Sequence, residues 1–83
     1  MTREQVFCLI DAERERQHDK WDGPHSWGSG DCSSADVDWT VKSMVLTEET
    51  GEVSRAILDL DSDALRRELV QVAAVAVAWL ESM

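Results

Sequence analysis

Residues 65–80 read LRRELVQVAAVAVAWL, and this stretch decides the fold. Its apolar residues recur at the three- and four-residue spacing of a helix. Val70, Val75 and Trp79 widen the apolar arc well beyond one stripe, and a helix that is apolar on most sides is buried on several sides. Three helices cannot bury such a helix alone. The stretch therefore predicts a helix that needs a second chain to cover it.

Upstream of this stretch, the sequence predicts a first helix and a loop. Thr2 with Gln5 fits a capping box, and a helical pattern follows over about 2–19. Three of the four glycines and the single proline then cluster in residues 22–34, which predicts a loop over about 20–34. Cys8 lies between two apolar neighbours and is expected to be a small buried side chain.

A second helix is predicted over about 35–59 and a third over about 62–82. Ser33 with Asp36 fits a second capping box. Asp61 or Ser62 can cap the third helix. Gly51 lies in the middle of the second helix, where glycine costs about 1 kcal/mol relative to alanine. A close approach by a helix or a ligand would explain that glycine.

The composition fits one small globular domain over residues 1–83. The chain is 43% hydrophobic and 30% charged, which is ordinary for a folded protein. We therefore predict an all-α fold, a three-helix chain that forms an oligomeric helical bundle as a homodimer or homotetramer. The longest apolar run, residues 69–80, is shorter than the roughly 20 residues that span a bilayer.

The charge balance limits the partners. Eight basic and 17 acidic residues give a net charge of −9, which argues against nonspecific binding to nucleic acid or to anionic membranes. Two cysteines are too few for a disulfide framework, and the N-terminus does not read as a signal peptide. A cytoplasmic location is therefore expected.

The residues of this sequence that most strongly indicate a chemical function form an acidic cluster. Glu52 follows Glu49 by three residues and Glu48 by four, and both spacings place carboxylates on one helix face. Glu68 and Gln71 lie on the third helix at the matching level, because helices joined by a short loop pack antiparallel. Neighbouring carboxylates repel one another unless a cation is shared. Hard oxygen ligands directed into a bundle suit Mg²⁺ or Mn²⁺.

At these residues the chain resembles the MazG-like all-α nucleoside triphosphate pyrophosphohydrolases. Their signature is Glu-Glu-x-x-Glu, a spacer, and then Glu-x-x-Asp. Residues 48–52 match the first half in full, and residues 68–71 match the second half except at the last position. Residues 16–21, RQHDKW, and the apolar run after Gln71 are also similar to the family.

The resemblance implies cleavage of a nucleoside triphosphate to a monophosphate and pyrophosphate. It implies that Glu49, Glu52 and Glu68 bind Mg²⁺ and that Glu48 binds metal or orients water, with the metal activating that water. Gln71 stands where the family has a metal-binding aspartate. An amide oxygen can coordinate a cation but brings no charge, so the resemblance implies weaker metal binding at this position.

Residues near the loop are candidates for binding the nucleotide. Trp21 can stack on a base, with Lys20 or His18 near the phosphates. Trp21 can equally anchor the loop to the bundle, and the same two interpretations apply to Trp27. Four further side chains have ordinary structural interpretations: core or interface for Trp39 and Trp79, and exposed basic residues for Arg66 and Arg67.

Two alternatives to an active enzyme remain open from the sequence. A catalytically degenerate member of the family would bind nucleotides or a partner protein without turnover, and Gln71 motivates this interpretation. A purely structural helical oligomer would carry Glu48, Glu49 and Glu52 on a solvated face.

Overall fold

A computed structural model describes all 83 residues, and it contains three helices and a small hairpin. Helix α1 spans Arg3–Lys20, α2 spans Trp39–Leu58 and α3 spans Ser62–Glu81. Strands β1 (Pro24–His25) and β2 (Gly28–Ser29) pair antiparallel within the predicted loop. The all-α class is thus confirmed, with this two-stranded hairpin as the one addition.

The helix starts follow local capping chemistry. Thr2 and Gln5 form the predicted capping box on α1, and Asp61 caps α3 as predicted. The predicted start of α2 is wrong, because Asp38 caps this helix and residues 35–37 lie outside it. Ser33 does not cap a helix, since its backbone N–H and its hydroxyl both donate to the carboxylate of Asp31.

Helix α3 lies between the other two helices. It packs against α1 and against α2, whereas α1 and α2 do not pack against each other. Arg14 reaches Glu81 while Gln17, further along α1, reaches Gln71, so α1 runs antiparallel to α3. A turn of three residues, 59–61, joins α2 to α3 and makes them antiparallel as well.

The apolar core is small and lies on one side of α3. The buried apolar residues are Cys32, Val37, Ala56, Ala74, Val75 and Ala78. Helix α3 contributes three of them, as expected for the most apolar helix, but its opposite side stays uncovered in the single chain. Leu69 is 52% exposed and Leu80 is 69% exposed.

Three sequence interpretations change once burial is known. Cys8 is exposed, because no helix covers the first half of α1. Trp39 is exposed and so is not part of the core of the chain, whereas Trp79 is half-buried. A Cβ added at Gly51 would meet no atom within 4 Å, so no neighbouring helix of this chain explains the glycine. None of the three helices combines the length and the hydropathy that a membrane span requires.

Candidate active site

The structure brings the two acidic motifs together across the α2–α3 interface. The side chain of Gln71 lies between Glu49 of α2 and Glu68 of α3. With its amide nitrogen facing the carboxylates, Gln71 donates to Glu49 Oε2 at 2.9 Å and to Glu68 Oε2 at 3.1 Å. The opposite orientation of the amide would direct its oxygen at two acceptors, so the hydrogen-bond network assigns the nitrogen to this side. Two carboxylates from different helices thus converge on one point.

Burial and neighbouring negative charge both act on the Glu49 carboxyl. Burial raises the pKa of the Glu49 carboxyl, and the neighbouring carboxylates of Glu68, Glu48, Glu52 and Glu13 raise it further. Both causes disfavour the ionised form of a carboxyl group. The cluster is therefore a place where positive charge or hydrogen-bond donors stabilise the fold.

The acidic cluster offers oxygen atoms that could bind a metal ion. Carboxylate and amide oxygens are the ligand types that Mg²⁺ accepts. The structure converges two carboxylates, those of Glu49 and Glu68, and gathers no group of three His, Cys, Asp or Glu side chains in position to hold an ion. Glu48 and Glu52 are exposed on the same helix. Of the expected ligands, the carboxylates of Glu49 and Glu68 face one point and are of the type that Mg²⁺ accepts, and no third carboxylate joins them there.

Helix α1 adds a charged pair beside the cluster that sequence reasoning missed. Arg16 donates to both carboxylate oxygens of Glu13, at 2.7 and 2.6 Å. The hydrogen bonds to Glu13 raise the pKa of Arg16 despite its partial burial, and the charge of Glu49 contributes to the same shift. The i,i+3 spacing of Glu13 and Arg16 was visible in the sequence. The sequence does not determine the register of α1 along α3, and this register directs the pair toward α2.

The backbone of Gln71 is also held by α1. Gln17 is buried, and its amide nitrogen donates to the Gln71 carbonyl oxygen at 3.4 Å. The residue that bridges the two acidic motifs is therefore contacted from α1 as well as from α2. All three helices contribute to the position of the cluster.

The residues predicted to bind substrate make no contact of this kind with the acidic cluster. No hydrogen bond or ion pair joins His18, Lys20 or Trp21 to the acidic cluster. His18 Nδ1 lies 3.5 Å from Asp31 Oδ2. The ammonium of Lys20 lies 5.1 Å from the centre of the Trp21 ring, a cation–π distance.

The hairpin holds a cluster of aromatic rings. His25 stacks on Trp27 with ring centres 4.6 Å apart, and Trp21 meets both rings edge to face. His25 Nε2 also lies 2.9 Å from the Trp21 carbonyl oxygen. Trp21 and Trp27 nevertheless keep 38% and 40% of their surface exposed. The rings anchor the hairpin and leave free surface on both indoles.

A second charged cluster fastens α1 to the C-terminal end of α3. Arg14 donates to Asp31 at 3.0 Å and to Glu81 at 2.9 and 3.2 Å. Burial alone would raise the pKa of Asp31, but hydrogen bonds from Ser33 and Arg14 outweigh it and the net shift is downward. Nearby, Lys42 is 1% exposed and donates to Ser82 Oγ at 2.7 Å. Sequence reasoning assigned none of these residues.

No family model matches the chain, and neither the curated proteins nor the solved structures give a significant match.

Proposed function

We propose that this chain is a Mg²⁺-dependent nucleoside triphosphate pyrophosphohydrolase of the MazG-like class. It would cleave a nucleoside or deoxynucleoside triphosphate to the monophosphate and pyrophosphate. The observation that carries the proposal is the convergence of Glu49 and Glu68 on one point, 2.9 and 3.1 Å from the Gln71 amide nitrogen. The motif resemblance places the same two residues in the metal site.

Each acidic residue has a role in this proposal. Glu49 and Glu68 hold the cation, and Glu52 completes the set from the exposed side of α2. Glu48 is a further ligand or orients the attacking water. When bound, Mg²⁺ or Mn²⁺ neutralises the phosphates and lowers the pKa of a coordinated water. Gln71 turns its amide oxygen toward the cation or stays hydrogen-bonded to the carboxylates.

The substrate contacts in this proposal come from the loop side of α1. Trp21 offers an exposed part of its indole to a base, and the aromatic cluster holds the ring in place. Lys20, beside that ring, supplies a charge for a phosphate. His18 is the weakest of the three candidates, because its imidazole faces the carboxylate of Asp31.

A second candidate function is favoured by the hydrogen bonds of Gln71. Its amide donates to both Glu49 and Glu68, and a cation would otherwise relieve the repulsion between these carboxylates. A chain that meets this need with an amide can keep its fold without metal. It would then be a binding protein for nucleotides or for a partner, without turnover.

Product analysis separates the two functions. The chain is incubated with a panel of ribo- and deoxynucleoside triphosphates and Mg²⁺ or Mn²⁺, and monophosphate plus pyrophosphate are measured. Metal-dependent release of both products is the result expected of the enzyme. Nucleotide binding without products, together with activity in the Gln71→Asp variant, would favour the binding protein.

Matched variants test the assignment of the site. Glu52→Gln and Glu68→Gln each remove one charge from the cluster and should abolish turnover. Glu15→Gln removes one charge from an exposed position of α1 that has no ion pair, and it should not change turnover. Full activity in Glu68→Gln would reject the site.

A further inference from the structure

Arg16 of α1 is a half-exposed side chain that is held in a fixed position beside the acidic cluster. Its side chain is 51% exposed, and it donates to both carboxylate oxygens of Glu13, at 2.7 and 2.6 Å. The side chain of Glu13 is only 12% exposed. A planar guanidinium that makes two parallel hydrogen bonds to a carboxylate has a defined orientation. Arg16 is therefore fixed in place and still accessible from solvent.

Most of the hydrogen-bond donors of Arg16 have no partner in the chain. An arginine side chain carries five N–H donors and no acceptor. Glu13 accepts two of them, one from Nε and one from Nη2, and no other oxygen of the chain accepts a hydrogen bond from this guanidinium. The remaining donors, on Nη1 and Nη2, are available to a ligand that carries acceptor oxygens.

The face of α1 that carries Glu13 also contacts the centre of the acidic cluster. Gln17 follows Glu13 by four residues, which places both side chains on one face of α1. The Gln17 amide donates to the carbonyl oxygen of Gln71, whose side chain bridges the two acidic motifs. The charge of Glu49 also contributes to the raised pKa of Arg16. Arg16 thus lies within electrostatic range of a carboxylate that is proposed to hold the metal.

No other basic side chain combines exposure with a fixed geometry. Arg14 and Lys42 are buried, and their hydrogen bonds hold parts of the fold together. Lys20 lies over an indole ring and makes no hydrogen bond. Arg16 alone is both accessible and preorganised, and preorganisation lowers the entropy lost when a ligand binds. The other four basic residues are exposed, and their side chains form no hydrogen bond or ion pair: Arg3, Arg55, Arg66 and Arg67.

We propose that Arg16 binds a phosphate group of the metal-bound substrate, and that Glu13 positions its guanidinium. This role rests on the proposed function, because it requires a polyphosphate whose other oxygens coordinate a cation at Glu49 and Glu68. Guanidinium and phosphate match in geometry as well as in charge, since two N–H groups can meet two oxygens. Arg16 then supplies positive charge from the side of the cluster that α1 faces.

The charge of the chain explains why such a residue is needed. The net charge is −9, and carboxylates from α2 and α3 surround the proposed metal. A triphosphate that carries one Mg²⁺ is still negative, so every carboxylate that the metal does not neutralise repels it. A guanidinium beside the cluster offsets this repulsion. Arg16 is placed to do so before the substrate arrives.

Two binding measurements on the full chain test this role. Calorimetric titration with Mn²⁺ alone reports on the metal site, and titration with inorganic pyrophosphate at saturating Mg²⁺ reports on the phosphate contacts. Arg16→Gln should weaken pyrophosphate binding about tenfold, because it removes hydrogen bonds between charged groups, and it should not weaken Mn²⁺ binding. Arg3→Gln is a matched change at an exposed arginine of the same helix without an ion pair, and it should alter neither affinity.

A charge-matched double variant separates direct contact from net charge. Arg16→Gln alone removes one positive charge, whereas Arg16→Gln with Glu13→Gln leaves the net charge at −9. The double variant should keep most of the loss in pyrophosphate affinity if Arg16 contacts phosphate. Recovery of wild-type affinity in the double variant would overturn the role, because the pair would then act only through its charge.

Folding is controlled by a conservative variant. An ion pair between residues three apart on a helix surface adds little to stability, so all variants should melt within a few degrees of the wild type. Arg16→Lys keeps the charge and the pairing with Glu13 but loses the planar fork. It should bind pyrophosphate more weakly than the wild type, and it decides the question should Arg16→Gln unfold. Wild-type affinity in Arg16→Lys and Arg16→Gln would overturn the role.

The outcomes also separate this role from the proposed function. Absence of pyrophosphate binding by the wild-type chain overturns the role of Arg16, even where triphosphates are cleaved. Failure of the proposed function has a different signature, namely Mg²⁺-dependent pyrophosphate binding that requires Arg16 without turnover of any triphosphate.

Discussion

The two carboxylates that share Arg14 differ in burial, and this difference gives an expectation for stability. The side chain of Asp31 is 4% exposed, whereas that of Glu81 is 49% exposed. Asp31 also accepts hydrogen bonds from Ser33. Asp31→Ala removes a buried ion-pair partner, which costs about 3 kcal/mol. Glu81→Ala removes a half-exposed partner, which costs about 0.5 kcal/mol.

These values convert to measurable shifts in melting temperature. For a domain of this size, 1 kcal/mol corresponds to roughly 4–8 °C. Asp31→Ala should therefore lower the Tm by roughly 12–24 °C, and Glu81→Ala by only about 2–4 °C. Urea unfolding followed by circular dichroism gives the free energies directly. All variants are compared at one protein concentration, because association adds to apparent stability.

The pH dependence supplies an independent check. The pKa of Asp31 is lowered in the folded chain, so its contribution is present above the ordinary value near 3.8 and is lost as the pH falls through the lowered folded value. The gap between wild type and Asp31→Ala should shrink below pH 4. Equal losses for Asp31→Ala and Glu81→Ala would refute the reasoning from burial.

Three backbone and capping variants have smaller expected effects. Gly28→Ala should lose about 2 kcal/mol, because φ is +125° and the new Cβ would lie 2.6 Å from the Asp36 carbonyl oxygen. Gly51→Ala should gain about 0.5–1 kcal/mol. If it stabilises the chain but weakens nucleotide binding, ligand approach explains the glycine. Thr2→Ala should lose about 1 kcal/mol. Urea unfolding measures all three, and a stable Gly28→Ala would contradict the turn geometry.

The sequence predicted the features that depend on residues close together in the chain, namely the helices and two of their caps. The three helices followed from apolar periodicity, and the caps Thr2 and Asp61 followed from side chains that reach their own helix. The predicted start of α2 was wrong because Ser33 donates its hydrogen bonds to Asp31, and residues 31–37 form turns instead of helix. Capping boxes compete with such turns, and the sequence alone does not rank them.

The candidate site was predictable only in part, for a reason of register. Antiparallel packing across a short turn predicted that the level of Glu52 matches that of Glu68, whereas the structure brings Glu49, three residues before Glu52, to the same amide as Glu68. Arg14 contacts Asp31 and Glu81 across 17 and 67 residues. Nothing in the sequence fixes how α1 slides along α3, so this cluster could not be predicted. The exposure of Cys8 follows from the same unknown register.

The connection between α2 and α3 has a consequence for the order of folding. These two helices are adjacent in sequence, and the loop that must close between them is only three residues long. Short loops close in well under a microsecond, so contacts of this kind form early. Helix α1 must wait, because its anchor Arg14 finds Glu81 across nearly the whole chain. We expect substitutions in the α2–α3 pair to slow folding and those at Arg14 mainly to speed unfolding.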